Sequence, residues 1–321
     1  MNFDLDDGER ALQQGIRDVC KRLFPIDRVR ALEAEPGGLD RKLWRELGDA
    51  GVFALRLPEP DGVGLGVTQA VLVFEELGHA IVPGSLISTH LAAGIVDGAS
   101  TGDRIVGMLE RNRTPRLVGH LEAADDLVVV DSEGLWLIDP ASVKGRPVPR
   151  PLDPLTPMHA VDDLPQGERL AGGEEAARWR LDGAALVAAM QVGIAASCVE
   201  QAVAYAKERK QFGRVIGSFQ AVKHICADML IRAEVARAAV YAAGVMLDDP
   251  SSGNAPRAVA GARLLAAEAA VANGKANIQV HGGMGYTWEI DAHLYLKRAM
   301  LLQTRFGRND EWAEEVARTL A

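Results

Sequence analysis

Apolar residues recur every three or four positions in the first and last parts of the chain. This spacing predicts amphipathic helices in both parts, on either side of a middle part that lacks the helical spacing. Pro25, Gly51 and Pro83 interrupt the pattern, and Ser218 is placed to cap a helix. Long helices with short connections predict an antiparallel bundle in the last part. The predicted helices cover residues 7–24, 39–50, 67–79, 84–97, 181–210, 218–247, 256–280, 294–306 and 310–320.

The pattern changes after residue 113, where short β-branched runs replace the helical spacing. Strands are predicted over 116–120, 126–130 and 134–138, with a hairpin turn between the last two. Prolines between 147 and 165 favour extended backbone. We therefore predict a mainly α fold in three parts. These are an N-terminal helical domain (1–112), a reduced middle β domain (113–176) and a C-terminal antiparallel four-helix bundle (177–321).

Composition narrows the classes of function. The chain has 321 residues, 48% of them hydrophobic, and a net charge of −9. A large core is expected, whereas a nucleic-acid or anionic-membrane partner would require a concentrated basic surface. The start, Met1–Asp7, lacks the basic and apolar regions of a secretory signal, and no apolar run is expected to reach membrane-spanning length. These features predict a cytoplasmic protein.

Cysteine and histidine usage gives no sign of a metal centre. Cys20, Cys198 and Cys226 are far apart, and each lies in an apolar helical pattern, so buried thiols are expected rather than disulfides. The seven histidines show no metal-ligand spacing with carboxylates or thiols. No metal site is therefore predicted.

Two segments carry candidate chemistry. Arg209–Gly213, followed by Phe219-Gln220, has a cation, an amide, an aromatic ring and a glycine break at a helix end. By itself this pattern fits either a helix cap or an anion site. Gln279–Thr287 contains Gly282-Gly283, which fits either a plain helix-to-helix turn or a place where backbone approaches a ligand closely.

Together with two other stretches, these segments carry a family resemblance. The chain resembles the acyl-CoA dehydrogenases, FAD enzymes that introduce a double bond between the α and β carbons of an acyl-CoA thioester. The likeness spans both helical domains in the family's order. Its four stretches are Leu43–Leu47, Phe74–Gly78, Arg209–Gln220 and Gln279–Thr287.

The resemblance implies that the last two stretches reach across a subunit interface to FAD. Arg209 would neutralise the pyrophosphate with its forked donors, and Phe212 would offer a flat apolar face. His281 would either line the cofactor cleft or only satisfy loop carbonyls. The full set of implied FAD-binding residues is Arg209, Gln211, Phe212, Phe219, Gln220, Gln279, Gly282 and Gly283.

The chain departs from the family at the catalytic base. Family members remove the α proton with a glutamate at one of two sequence positions, which fall here at Gly183 and Phe306. Neither residue can accept a proton, so no catalytic residue is assigned. A displaced base at Asp182, or less readily at Glu289 or Asp291, is the alternative.

The β domain also lacks a convincing counterpart of the family's flavin-cradling segments, and Trp136 is expected to be core. This combination resembles the smaller, non-catalytic subunit of heteromeric acyl-CoA dehydrogenases from steroid-degrading actinobacteria. It implies a heterotetramer with a catalytic subunit, a bulky acyl-CoA such as a steroid-derived thioester, and an electron-transfer acceptor. The alternatives are a homo-oligomeric dehydrogenase that uses Asp182, and a flavin-free scaffold or regulatory member of the family.

Overall fold

The computed structural model describes residues 5–320, apart from the side chains of residues 36 and 320. Part of the acidic N-terminal stretch used above, residues 1–4, lies outside this range. The described chain is mainly helical, as predicted. Its α-helices are α1 (Asp7–Leu23), α2 (Ile26–Ala31), α3 (Arg41–Asp49), α4 (Val67–His79), α5 (Leu86–Ala92), α6 (Gly173–Glu208), α7 (Gln220–Asp248), α8 (Ala255–His281), α9 (Ala292–Leu302) and α10 (Asn309–Leu320).

The chain folds into two compact units, each assembled from separate segments. The bundle unit contains the residues up to 20, residues 71–81 and the residues from 184 onward. The sheet unit contains residues 21–70 and 82–183. The three domain boundaries predicted from the sequence divide the chain differently and stay a prediction.

In the bundle unit, α8 packs against α7, α9 and α10. The Asn273 amide ties three helices together, because its Nδ2 donates to the carbonyls of Ala195 in α6 (3.2 Å) and Met229 in α7 (2.9 Å). Buried alanines line α8, and such small side chains let helices approach closely. The predicted helical bundle is confirmed.

The sheet unit contains a four-stranded sheet in the order β1-β3-β4-β7 and a three-stranded sheet in the order β2-β6-β5. Strand β1 runs parallel to β3, and the other pairs are antiparallel. A two-stranded hairpin, β8 and β9, belongs to the bundle unit. The strands are β1 (Val106–Glu110), β2 (Leu117–Gly119), β3 (Asp126–Val130), β4 (Gly134–Ile138), β5 (Gly145–Pro147), β6 (Met158–Val161), β7 (Glu168–Gly172), β8 (Lys210–Gln211) and β9 (Arg214–Val215).

The three predicted strands are confirmed as β2, β3 and β4. The turn between β3 and β4 is also present, because the Asp131 N–H donates to the Gly134 carbonyl at 3.1 Å. Strand β1 was not predicted, since Gly107 and Met108 weaken its β-branched signal. Trp136 in β4 is half-buried against a core cluster of this unit.

Two details of the long helices differ from the prediction. Ser218 does not cap α7: its Oγ donates to the Val215 carbonyl at 2.7 Å, and Phe219 precedes the helix without a side-chain cap. Helix α6 begins eight residues earlier than predicted and is long and apolar enough to cross a membrane, so the expectation that no run reaches that length was wrong. Because 89% of its most apolar window is buried, α6 has the character of a core helix.

Candidate cofactor-binding site

The first candidate segment forms a tight hairpin at the end of α6. The Arg209 N–H donates to the Tyr205 carbonyl (2.9 Å), and the Arg209 carbonyl accepts the Ile216 N–H (2.8 Å). At the tip, Phe212 and Gly213 both have positive φ, 51° and 78°. A turn with two such residues suits a two-residue hairpin, but a bulky side chain at positive φ is strained.

The strained residue presents its ring to solvent. Phe212 is 92% exposed, and its only ring contact among the described residues is an edge-on approach to Phe219 at 6.2 Å between centroids. The Arg214 guanidinium lies 4.0 Å above the Phe219 ring, so Phe219 is already covered within the chain. Gln211 and Gln220 are exposed. The hairpin therefore offers Arg209, Gln211 and Phe212 to a group outside this chain.

The second candidate segment is the turn after α8. Gly282 has φ of 61°, and a Cβ built on Gly282 or Gly283 would meet no atom within 4 Å. A Cβ on Gly285 would instead lie 2.5 Å from the Ile278 carbonyl oxygen. Gly285 is thus required by packing within the chain, whereas Gly282 and Gly283 face open space. This open backbone, with Gln279 exposed beside it, fits a dinucleotide that approaches closely.

The two segments are linked at one end of the bundle unit by a stacked pair of rings. Tyr205 and His281 have centroids 4.2 Å apart and planes inclined by 28°. Tyr205 lies one helical turn before Arg209, and His281 lies between Gln279 and Gly282. Sequence reasoning missed Tyr205, although its position on the helix face that leads to Arg209 was a usable signal.

His281 is buried and hydrogen-bonded. Its Nδ1 donates to the Asn277 carbonyl at 2.9 Å, a carbonyl of α8 and not of the following loop, so neither of the two predicted roles of His281 is decided by this bond. The Asn277 side chain donates to Gln201 Oε1 (3.0 Å), and Gln201 donates to Ser197 Oγ (3.1 Å). The Asn277–Gln201 bond joins α8 to α6 and holds the segment that precedes the Gly-Gly turn.

The first of the two glutamate positions lies in the sheet unit. Gly183 is buried in α6, beside the buried Asp182. One oxygen of Asp182 accepts from Arg56 Nη1 (2.9 Å), and the other accepts from Arg178 Nε (2.7 Å). Guanidinium groups therefore occupy both oxygens of Asp182, which is unfavourable for a proton-abstracting base.

The second glutamate position lies in the bundle unit. The Phe306 ring is 5% exposed, and the residue has φ of 52°. The buried guanidinium of Arg263 donates to three carbonyls around it, those of Leu302 (3.3 Å), Arg305 (3.3 Å) and Gly307 (3.4 Å). A buried cation surrounded by carbonyl dipoles at a helix C-terminus holds this strained turn. An apolar ring therefore fills the second position.

The stretch Phe74–Gly78 has a structural role within the bundle unit. Glu75 accepts from Arg237 Nε and from the Tyr241 hydroxyl, both at 2.9 Å, and burial raises the pKa of Glu75. Glu76 accepts two bonds from Arg17. These bonds connect α1, α4 and α7. They explain why this stretch contains two carboxylates without assigning them to catalysis.

The stretch Leu43–Leu47 is likewise structural, because α3 buries Leu43, Trp44 and Leu47 in the sheet unit. Cys20 and Cys198 are buried as predicted, and burial raises the pKa of each thiol to about 12; Cys226 is only partly buried. Within residues 5–320, no group of three or more His, Cys, Asp or Glu side chains is arranged to hold a metal ion.

The order of the parts, helical domain, small β region and helical bundle, is that of the acyl-CoA dehydrogenases, and two domain models of this family match the chain. The family's N-terminal domain model matches residues 6–101, and its C-terminal domain model matches residues 172–321. The acyl-CoA dehydrogenase IpdE2 of Mycolicibacterium smegmatis is 36% identical over 297 residues, which cover 90% of this chain and 91% of that protein. The chain belongs to the acyl-CoA dehydrogenase family.

A second relative agrees with this assignment, and solved structures share the fold. IpdE2 of Mycobacterium tuberculosis is 35% identical, over 88% of this chain and 87% of that protein. The fold matches the ChsE4–ChsE5 complex of Mycobacterium tuberculosis (TM-score 0.85, 23% identity, 100% of this chain and 99% of that chain). It also matches the Tcur3481–Tcur3483 steroid ACAD (TM-score 0.84, 22% identity, 98% of each chain). The predicted fold class and the predicted enzyme family are both confirmed.

Proposed function

We propose that this chain is a subunit of an FAD-dependent acyl-CoA dehydrogenase, and that it supplies contacts to the adenosine-pyrophosphate half of a cofactor shared with a catalytic partner. The observation that carries the proposal is the Phe212 ring, 92% exposed on a backbone of positive φ. Such a residue costs stability in the isolated chain, and strained residues of this kind cluster at ligand and partner sites.

The chemistry of the exposed groups suits a dinucleotide. Arg209 brings a permanent charge and a forked donor set for a pyrophosphate, and the open Gly282-Gly283 backbone leaves room for close approach. Gln211, Phe219, Gln220 and Gln279 complete the proposed contacts. FAD, when bound, supplies the acceptor for the electrons removed from the acyl chain.

The chain itself would not abstract the α proton. Phe306 has no titratable group, Gly183 has no side chain, and Asp182 is occupied by Arg56 and Arg178. The proton-abstracting base would come from the partner. This geometry favours a subunit that acts in a complex over a homo-oligomer that relies on Asp182.

The comparisons support a heteromeric assembly and a bulky substrate. The two structural matches described above are a complex of two named chains and a steroid dehydrogenase whose name joins two chains. PigA, whose FAD complex has the same fold, supports FAD as the cofactor. We therefore propose a heterotetramer in the cytoplasm that acts on a steroid-derived or similarly bulky acyl-CoA and passes electrons to an external acceptor.

The test is to co-express the chain with an acyl-CoA dehydrogenase encoded beside it and to measure FAD per complex. Arg209→Ala should weaken FAD binding by roughly 10- to 100-fold, since a charge-assisted hydrogen bond contributes about 1.5–3 kcal/mol. Lys207→Ala is the matched control, because Lys207 is an exposed cation in the last turn of the same helix. It should leave the FAD content unchanged.

Two results would refute the proposal. One is a chain that, purified alone, carries stoichiometric FAD and oxidises an acyl-CoA. The other is an Arg209→Ala complex that assembles normally and keeps all of its FAD. A complex that never contains flavin would instead favour the scaffold alternative.

A further inference from the structure

His281 has one ring nitrogen that the fold uses and one that it does not. The residue is 8% exposed, so more than nine-tenths of it is buried. Nδ1 lies 2.9 Å from the Asn277 carbonyl, while Nε2 has no hydrogen-bond partner within the described part of the chain. The fold encloses most of the ring but leaves the Nε2 atom accessible, so this nitrogen is available to a group from outside the chain.

The bond at Nδ1 determines what Nε2 can do. A carbonyl oxygen can only accept, so Nδ1 must carry the proton in the neutral ring. Nε2 then presents a lone pair and accepts hydrogen bonds. In this tautomer it cannot donate to a phosphate oxygen, but it is suited to a neutral O–H or N–H donor.

Neighbouring residues hold the His281 ring in its orientation and place it close to the proposed pyrophosphate contact. Tyr205 stacks on the ring at 4.2 Å between centroids, and the Asn277 side chain is held by Gln201. Tyr205 also accepts the backbone N–H of Arg209, the residue proposed to bind the pyrophosphate. His281 directly precedes Gly282, whose backbone faces open space. The nitrogen is thus preorganised at the same end of the bundle unit as the proposed anion contact.

We propose that His281 Nε2 accepts a hydrogen bond from the adenosine half of the cofactor, from either a ribose hydroxyl or the adenine amine. The proposal rests on the proposed function and adds a neutral, directional contact to the charged contact of Arg209. Arg209 would provide affinity for the pyrophosphate, and His281 would recognise the nucleoside attached to it.

The experiment titrates the cofactor-free complex with FAD and, separately, with ADP, which carries the adenosine and pyrophosphate groups. His281→Phe keeps a stacking ring but removes the acceptor, and should weaken both ligands about fivefold, as expected for one neutral hydrogen bond. His224→Phe is the control, because His224 is an exposed histidine on α7. Comparing ADP with 2′-deoxy-ADP and with inosine diphosphate identifies the donor, since each analogue lacks one candidate group.

A second measurement is needed if the His281→Phe chain does not form the complex with its partner. With only this chain labelled with ring-¹⁵N histidine, Nε2 of His281 should give an unprotonated signal that shifts when ADP binds. A protonated Nε2, or a signal that ADP leaves unchanged, would overturn the proposal. If Arg209→Ala weakens FAD binding and His281→Phe does not, the His281 assignment fails while the proposed function stands; if neither variant has an effect, both fail.

Discussion

Phe212 and Phe306 share a positive φ angle and have opposite environments. Their φ angles are 51° and 52°, yet Phe212 is 92% exposed and Phe306 is 5% exposed. The chain compensates for the strain at Phe306 by burying the ring and by binding the surrounding carbonyls to Arg263. It offers no such compensation at Phe212. Backbone strain that no contact within the folded chain offsets indicates that the residue serves a contact with a ligand or a partner.

The same contrast holds for the regions around these residues. At the hairpin and the Gly-Gly turn, cations, amides and bare backbone are left accessible. At the two positions where the family carries its base, the groups present are apolar or paired. The accessible groups lie in the segments that we propose to bind the cofactor, and the positions that the resemblance assigns to the base hold groups that are apolar or paired; this contrast is the basis of the proposed function.

Replacing Phe306 should have the largest effect on stability. Phe306→Gly removes a buried ring, a loss of about 3–5 kcal/mol for such truncations, and recovers about 1 kcal/mol of backbone strain. We expect a net loss of about 2–4 kcal/mol in the free energy of unfolding, measured by denaturant titration. Unchanged stability would show that the buried Phe306 ring does not stabilise the turn. Phe306 would then no longer differ from Phe212 in how its strain is offset.

Asp182→Asn tests the paired position and should cost about 1–2 kcal/mol, because the two arginine partners are partly exposed and screened by solvent. The turnover of the complex per bound FAD should stay unchanged. Glu59→Gln, at an exposed carboxylate of the sheet unit, is the control for charge removal. Loss of turnover in Asp182→Asn with normal FAD content would instead support a relocated base.

Much of the fold could be predicted from the sequence because its signals are local. The limits of α4 were predicted to the residue, since a clear apolar period ends near Gly78. The start of α6 was missed, because its first turns, Gly173–Arg180, are polar on most sides and carry only a weak period. Strands β5 to β7 were missed because their composition carries little β-branched signal, and pairing with other strands stabilises them.

The sequence could predict which residues form the candidate site, but not how their side chains contact one another. Arg209, Phe212 and Gly282 could be selected by residue type and by family resemblance. Neither source predicts that Tyr205 stacks on His281, or that His281 uses Nδ1 for a carbonyl and leaves Nε2 unused. Such contacts depend on the relative rotation of α6 and α8, which is set by packing over the whole length of the bundle unit.

Phe212→Gly should have the smallest effect on stability, but of the opposite sign to Phe306→Gly. Glycine adopts positive φ freely and the exposed ring has little packing to lose, so the isolated chain should gain up to about 1 kcal/mol. The complex should nevertheless retain less FAD.

Gly213→Ala is the matched variant for this prediction. The added Cβ meets no atom within 4 Å, so the change adds backbone strain at a φ of 78° while it keeps the Phe212 ring. It should cost about 1 kcal/mol. A Phe212→Gly complex that is more stable and equally rich in FAD would mean that the strained ring serves no ligand, and the central contrast between the two phenylalanines would lose its functional meaning.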